Sequence, residues 1–232
     1  MKSDLHSKDL IDSVSKIKDS FSFKVEVNEI KAVNWNEKWE TNFSPIIVGE
    51  SCAVIAPYHK EQSVKHNIVL SPKMAFGTGH HETTWMMLAR MGELDFTGKK
   101  VLDFGCGTGV LSIYAEKLGS TETVGIDIEE AAYQNTLENI GLNACQNIKV
   151  IKGDFSDIPT ASYDVILANI NRTVVLNSLS GLYDLLSNKG TLLVSGILKK
   201  DESTLENDEN FKKFLIKAKF ERNHWLCYCL SK

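Results

Sequence analysis

The stretch Val101-Leu102-Asp103-Phe104-Gly105-Cys106-Gly107-Thr108-Gly109 decides the fold. It begins as an apolar strand over residues 100–104, turns on three glycines and runs into a helix over 110–118. A glycine motif between a strand and a helix is the setting in which it signals a nucleotide-type ligand. Glycine permits the sharp turn and lets bare backbone approach a ligand. The following helix offers unpaired N–H groups and the positive end of its dipole. The competing reading is a tight strand-to-helix turn that binds nothing.

Outward from the loop, strands and helices alternate. Strands are expected over 123–128, 148–152, 164–169 and 191–195, and helices over 130–140, 174–186 and, more weakly, 202–214. The tail, 217–230, reads as two antiparallel strands turning near Asn223. The pattern predicts an α/β fold: a mostly parallel, twisted, seven-stranded sheet with helices on both faces and an antiparallel C-terminal strand. Ligands of such sheets sit at the carboxyl ends of the strands. Three parts are expected along the chain. Residues 1–30 hold one helix (9–20) and one strand (23–27), too little to close a core, and either pack on the rest of the chain or are the remnant of a larger N-terminal domain. Residues 31–83 are a linker with short strands at 46–48, 53–56 and 68–70. Residues 84–232 are the ligand-binding catalytic domain, entered through a helix over 83–91.

The composition narrows the function classes. Of 232 residues, 43% are hydrophobic and 24% charged, ordinary for a soluble globular protein. A net charge of −4 disfavours nonspecific coating of nucleic acid. The five cysteines are scattered and form no pair of C-x-x-C units, so free thiols in a reducing cytosol are expected rather than zinc or disulfides. His80, His81 and Glu82 lack the spacing of a metal-binding helix and read as loop residues near the site. No stretch approaches the ~18 apolar residues of a membrane span. The expected location is the cytoplasm, with no membrane partner and no direct nucleic-acid partner.

The chemistry of the loop separates two ligands. A dinucleotide loop reads G-x-G-x-x-G. Here the third glycine comes one residue early, and Asp103 stands two residues before the first. A carboxylate would repel a pyrophosphate. It would favour the ammonium of a methionine moiety, directly or through water, which points to S-adenosylmethionine. Asp127, ending the next strand, can accept both hydrogens of a ribose diol, a feature shared with NAD sites. Asp154, at the end of the third strand, either meets the adenine amino group or only caps the next turn. Asn169 ends the fourth strand, facing the transferred methyl. It can accept a hydrogen bond from an amine and aim its lone pair, hold the methionine end of the cofactor, or make a local turn. An NAD-dependent oxidoreductase and an inactive binding module are the competing classes.

The run Met74-Ala75-Phe76-Gly77-Thr78-Gly79-His80 with Thr83-Thr84 resembles the signature of the PrmA-type ribosomal protein methyltransferases. So do Asn34-Trp35 through Trp39, Phe43-Ser44-Pro45-Ile46, the glycine loop, Gly125-Ile126-Asp127-Ile128, Ala168-Asn169-Ile170 and Ser195-Gly196-Ile197-Leu198. The resemblance implies a Rossmann-like class I methyltransferase. It implies methyl transfer from S-adenosylmethionine to lysine side chains and the N-terminal amine of protein eleven of the large ribosomal subunit. It further implies that Thr84, Gly105, Asp127 and Asn169 contact the cofactor; Gly107, Asp103 and Asp154 are cofactor-binding candidates on the reading of the residues alone. The alternative is a methyltransferase of the same fold acting on another protein or on a nucleic-acid amine. The chain departs from the family pattern at His81, at Glu82, where proline is usual, at Asn171-Arg172, where Arg172 would bring positive charge to the mouth of the site, and in residues 1–30, which the resemblance makes a reduced or truncated form of the family's N-terminal substrate-recognition domain.

Overall fold

The structure is a computed structural model that describes residues 43–71 and 80–232. The chain divides into two compact units, Met1–Asn34 and Trp35–Lys232. The first lies wholly outside the described residues, as do the expected helix over 9–20, the strand over 23–27 and the Met74–Gly79 part of the signature. Every described element belongs to the second unit.

A small sheet comes first, with strands β1 (Ile46–Val48), β2 (Cys52–Ile55) and β3 (His66–Val69) in that order. β1 runs antiparallel to β2, and β3 parallel to it. Helix α1 (Glu82–Met91) leads into the large sheet. The large sheet's elements are β4 (Lys100–Phe104), α2 (Val110–Lys117), β5 (Glu122–Asp127), α3 (Glu130–Leu142), β6 (Ile148–Lys152), β7 (Tyr163–Asn169), α4 (Arg172–Leu185), β8 (Leu186–Leu198), α5 (Glu202–Glu206), β9 (Leu215–Arg222) and β10 (Trp225–Ser231). The seven strands lie in the order β6-β5-β4-β7-β8-β10-β9. All neighbours from β6 to β8 are parallel, whereas β10 is antiparallel to both β8 and β9. One strand thus runs against six, as the alternation and the terminal hairpin predict. The hairpin turns through Asn223 and His224, both at positive φ, the geometry of a two-residue turn whose twist suits the flanking strands.

Alternation along each strand sorts side chains onto two faces. Val101, Val165, Leu167, Leu193 and Cys227 pack on one face with Met86, Met87 and Met91 of α1 and with Ile113 and Tyr114 of α2. Leu102, Ile126, Ile166, Leu192 and Tyr228 pack on the other, under Val175, Leu179 and Leu182 of α4. Val54, Ile68 and Leu70 of the expected linker share the first core. Asn143, just past α3, holds the free edge of β3 in place: its side chain both accepts from the Val69 N–H (3.0 Å) and donates to the Val69 carbonyl (2.6 Å). The cysteines of the described residues are free thiols, and Cys227 is fully buried.

Two elements differ from expectation. β8 is much longer than 191–195, because its N-terminal part continues directly from α4. The charged helix expected over 202–214 is broken into α5 and a 3₁₀ turn at Phe211–Lys213. Asp208 is the cause: its side chain accepts from the Asn210 and Phe211 N–H groups, a local bonding pattern that competes with helix.

Candidate active site

The carboxyl ends of β4, β5, β7 and β8 open on a cavity of about 440 Å³. Its first wall is the glycine loop. Gly105, Gly107 and Gly109 all have positive φ (77°, 56° and 76°), which favours glycine at each. They also serve packing. A Cβ on Gly105 would come within 2.3 Å of Ile170 Cγ2, and one on Gly109 within 2.6 Å of Thr136 Cγ2. The early third glycine is therefore where helix α3 presses against the loop. Gly105 and Gly107 line the cavity and Gly109 does not.

Asp127 ends β5 on the cavity wall. One carboxylate oxygen accepts the Gly107 N–H (2.9 Å), the other the Glu129 N–H (3.0 Å). The loop N–H that would hold a phosphate is thus already turned to a carboxylate. Each carboxylate oxygen has a second lone pair, so the group can still accept from a ligand diol.

Asn169 ends β7, 7% exposed and on the cavity wall. Its amide donates to the hydroxyl of Thr84 (3.1 Å), a fully buried residue of α1 that does not itself line the cavity. Asn169 Oδ1 is buried without a partner. An unpaired buried carbonyl costs about 1–3 kcal/mol, so a donor is wanted there.

Ile170, next along, is clasped between two glycines. Gly105 lies on one side. On the other is Gly196, at φ 91°, where a Cβ would stand 1.9 Å from the Ile170 carbonyl oxygen. Gly196 forms a bulge in β8, for the pairing register with β10 slips between Leu226 and Cys227. Ser195 Oγ donates to the Leu226 carbonyl (2.7 Å) across that bulge.

The remaining wall joins distant segments. His81 caps α1, its Nδ1 accepting from the Thr83 N–H (3.3 Å), and its ring meets Trp225 edge-on at 4.7 Å. Both line the cavity. Glu82 pairs with Arg222 and accepts from Asn223 Nδ2 (2.6 Å), while the Arg222 guanidinium stacks 3.9 Å over the Trp85 ring. Glu82 thus fastens the β9–β10 turn to α1. The Arg172 charge expected at the mouth is instead paired with Asp201 at 2.6 Å, and Arg172 does not line the cavity; its neighbour Asn171 does, and caps α4 by accepting from the Val174 N–H (3.1 Å).

Two further predicted residues, like Thr84, stand off the cavity wall. Asp103 points to the α2 face of β4, where one carboxylate oxygen accepts from Ser112 Oγ (2.6 Å) and N–H (3.0 Å) and the other has no partner. Burial pushes its pKa up to about 6 against the pull of the Ser112 hydrogen bonds. Asp154 is exposed, and its carboxylate caps the 3₁₀ turn Phe155–Asp157 by accepting from Ser156 N–H and Oγ (2.8 and 2.6 Å). Gly153 lines the cavity in its place. Among the described residues no His, Cys, Asp and Glu cluster could hold a metal.

Residues 2–232 match the family model "Ribosomal protein L11 methyltransferase (PrmA)". The chain belongs to the PrmA family. A ribosomal protein L11 methyltransferase of Porphyromonas gingivalis is 42% identical over 198 residues, 83% of this chain and 68% of the relative. That of Caldanaerobacter subterraneus subsp. tengcongensis is 36% identical over 213 residues, 90% and 68% of the two chains. A crystal structure of the ribosomal protein L11 methylase of Lactobacillus delbrueckii subsp. bulgaricus superposes with a TM-score of 0.75 at 26% identity, covering 82% of this chain and 99% of that one. The class I methyltransferase architecture of this PrmA member is therefore the one expected from the glycine loop outward.

Gly196 and Trp225 are among the cavity-lining residues that the sequence pattern does not assign to the site. Gly196 carries a signal, a glycine inside a strand pattern, which marks a bulge or close backbone approach. Trp225 carries none: it is one aromatic residue on an alternating strand, and only the fold brings it to His81.

Proposed function

We propose that this chain transfers methyl groups from S-adenosylmethionine to amino groups of ribosomal protein L11, on lysine side chains and the N-terminal amine. The observation that carries the reading is the buried, unpartnered Oδ1 of Asn169 at the carboxyl end of β7. The family supplies the substrate, and the site supplies the chemistry.

The residues present fit the cofactor. Gly105 and Gly107 offer bare backbone, and Asp127 offers acceptor lone pairs for the ribose hydroxyls. Asp127 against the loop, with Asp103 behind it, makes the wall unfriendly to a pyrophosphate and favourable to a cationic ligand. When bound, S-adenosylmethionine supplies an electrophilic methyl group on a sulfonium.

The chain's own residues act on the acceptor. A free lysine, with a pKa near ~10.4, is mostly protonated at neutral pH, and only the neutral amine can attack. The cavity desolvates that amine, which favours its neutral form. Asn169 Oδ1 accepts a hydrogen bond from the amine N–H and so aims the lone pair. Thr84 fixes the Asn169 amide from behind, so Oδ1 is presented without a conformational search. Asp154 stabilises the turn beside Gly153. The compartment implied by this substrate is the cytoplasm, and no helix of the described residues is long and apolar enough to cross a membrane.

Labelled S-adenosylmethionine incubated with this protein and L11 tests the reading, with mass spectrometry to locate the methyl groups. Added methyls on lysine and N-terminal amines are expected. Robust transfer to another ribosomal component, with none to L11, would overturn the substrate and leave the chemistry.

A further inference from the structure

Helix α3 reaches under the glycine loop without touching the cavity. Thr136 Oγ1 donates to the Gly107 carbonyl at 2.9 Å. Its methyl group, Cγ2, fills the place a Cβ on Gly109 would take. Cys106 Sγ lies 3.6 Å from the same hydroxyl. One turn on, Asn139 Nδ2 donates to the Thr108 carbonyl at 2.8 Å. Both side chains are fully buried, and neither lines the cavity. Two consecutive carbonyls of the loop are therefore drawn toward α3, while the Gly107 N–H reaches Asp127 on the cavity side.

A peptide plane whose carbonyl is held on one side presents its N–H on the other, because the six atoms are coplanar and trans. The Gly107 carbonyl belongs to the plane that carries the Thr108 N–H, and the Thr108 carbonyl to the plane of Gly109. Left-handed glycines are free to rotate these planes, since no Cβ restricts them. The Gly109 N–H on the Cys106 carbonyl (2.8 Å) and Asp127 hold the peptide before Gly107, and Thr136 holds the carbonyl of the peptide after it.

We propose that Thr136 is a positioning residue for the cofactor: its hydroxyl fixes the Gly107–Thr108 peptide, which meets at the Gly107 Cα the peptide whose N–H Asp127 accepts, and so holds the Asp127–Gly107 seat from its far side. The inference rests on the reading that this loop and Asp127 hold S-adenosylmethionine. Preorganisation of this kind lowers the ordering cost of binding and does not add a contact.

Calorimetric titration of the full chain with S-adenosylmethionine, alongside thermal unfolding without ligand, tests it. Thr136→Val keeps the shape and the methyl against Gly109 but loses the donor. Thr136→Ser keeps the donor and loses the methyl. The expected result is a crossing: Thr136→Val binds roughly five- to tenfold more weakly, while Thr136→Ser binds as the unsubstituted protein does even where its melting temperature is the lower of the two. Affinity that follows melting temperature through both variants would overturn the proposal, and so would Thr136→Val binding at full strength. Asp127→Ala serves as the reference. If it leaves affinity unchanged, the loop reading itself fails; if it weakens binding and Thr136→Val does not, only the role of Thr136 fails.

Discussion

The two halves of the cavity are built differently. The glycine-loop half is made by neighbours in sequence: β4, the loop, β5 and α3 follow one another, and the bonds that shape it span 20 to 31 residues. It works mostly through backbone groups. The opposite half is assembled from far apart: Asn169 meets Thr84 across 85 positions, and Glu82 meets Asn223 across 141. It works through side chains: the Asn169 amide, the His81 and Trp225 rings and the Glu82–Arg222 pair. A contiguous half can be fixed by a motif and shared across a fold class. An assembled half depends on tertiary placement, and in the proposed reaction it is the half that faces the acceptor.

If that division holds, substitutions in the assembled half should change turnover or acceptor use, and those in the contiguous half should change cofactor affinity. The largest effect is expected for Asn169→Ala. Turnover should drop on the order of 100-fold, as for loss of one well-placed catalytic hydrogen bond, with a far smaller loss of folding stability. Melting and activity falling together would reduce Asn169 to a strand-end turn residue. Asp127→Ala comes next. Losing charge-assisted hydrogen bonds worth about 1.5–3 kcal/mol should weaken cofactor binding, read by calorimetry, while the acceptor's KM stays put.

The third test separates folding from binding within the contiguous half. The folded-state pKa of Asp103 is raised, to about 6 from an ordinary 3.8, so the native state binds more protons than the unfolded chain between these values. Stability from this group is highest below about pH 4, falls as pH rises through 4 to 6, and stays reduced by about 2–3 kcal/mol above that. Urea unfolding of the wild type and Asp103→Asn across pH 4–8 should show the variant gaining on the wild type over that window. A pH-independent difference would show the carboxyl to be unshifted. The smallest effect is expected for Glu82→Gln. It removes a half-exposed ion pair worth about 0.2–1 kcal/mol. It should raise the acceptor's KM a few-fold and leave cofactor affinity alone; an equal effect on both would blur the line between the halves.

The same division explains what could be read in advance. The strand–loop–helix order, the reversed terminal strand, Gly105, Gly107 and Asp127 are written in local pattern, and the structure has them where the pattern puts them. Asp103 stands next to the loop in sequence yet faces α2, because side chains alternate along a strand and its parity sends it to that face. Asp154 illustrates an ambiguity that residue type cannot resolve, since an aspartate at a strand end suits a turn cap as well as a ligand. Thr84 could be placed beside the site only through its family motif, for its link to the cavity is the amide of Asn169. Trp225 and the Arg172–Asp201 pair required the packed hairpin and the short helices around them.

The side chain of Asn143, bonded to both the N–H and the carbonyl of Val69, also bears on how these molecules treat one another. Among the described residues no strand pairs with the outer edge of β3, and at that point the carboxamide makes the bonds a neighbour strand would make. Without it, the outer edge of β3 would present an unsatisfied donor and acceptor side by side, which is what an extended segment of another chain needs to begin pairing. One asparagine at the end of a helix thus closes a pairing point on that edge, a duty separate from the cavity.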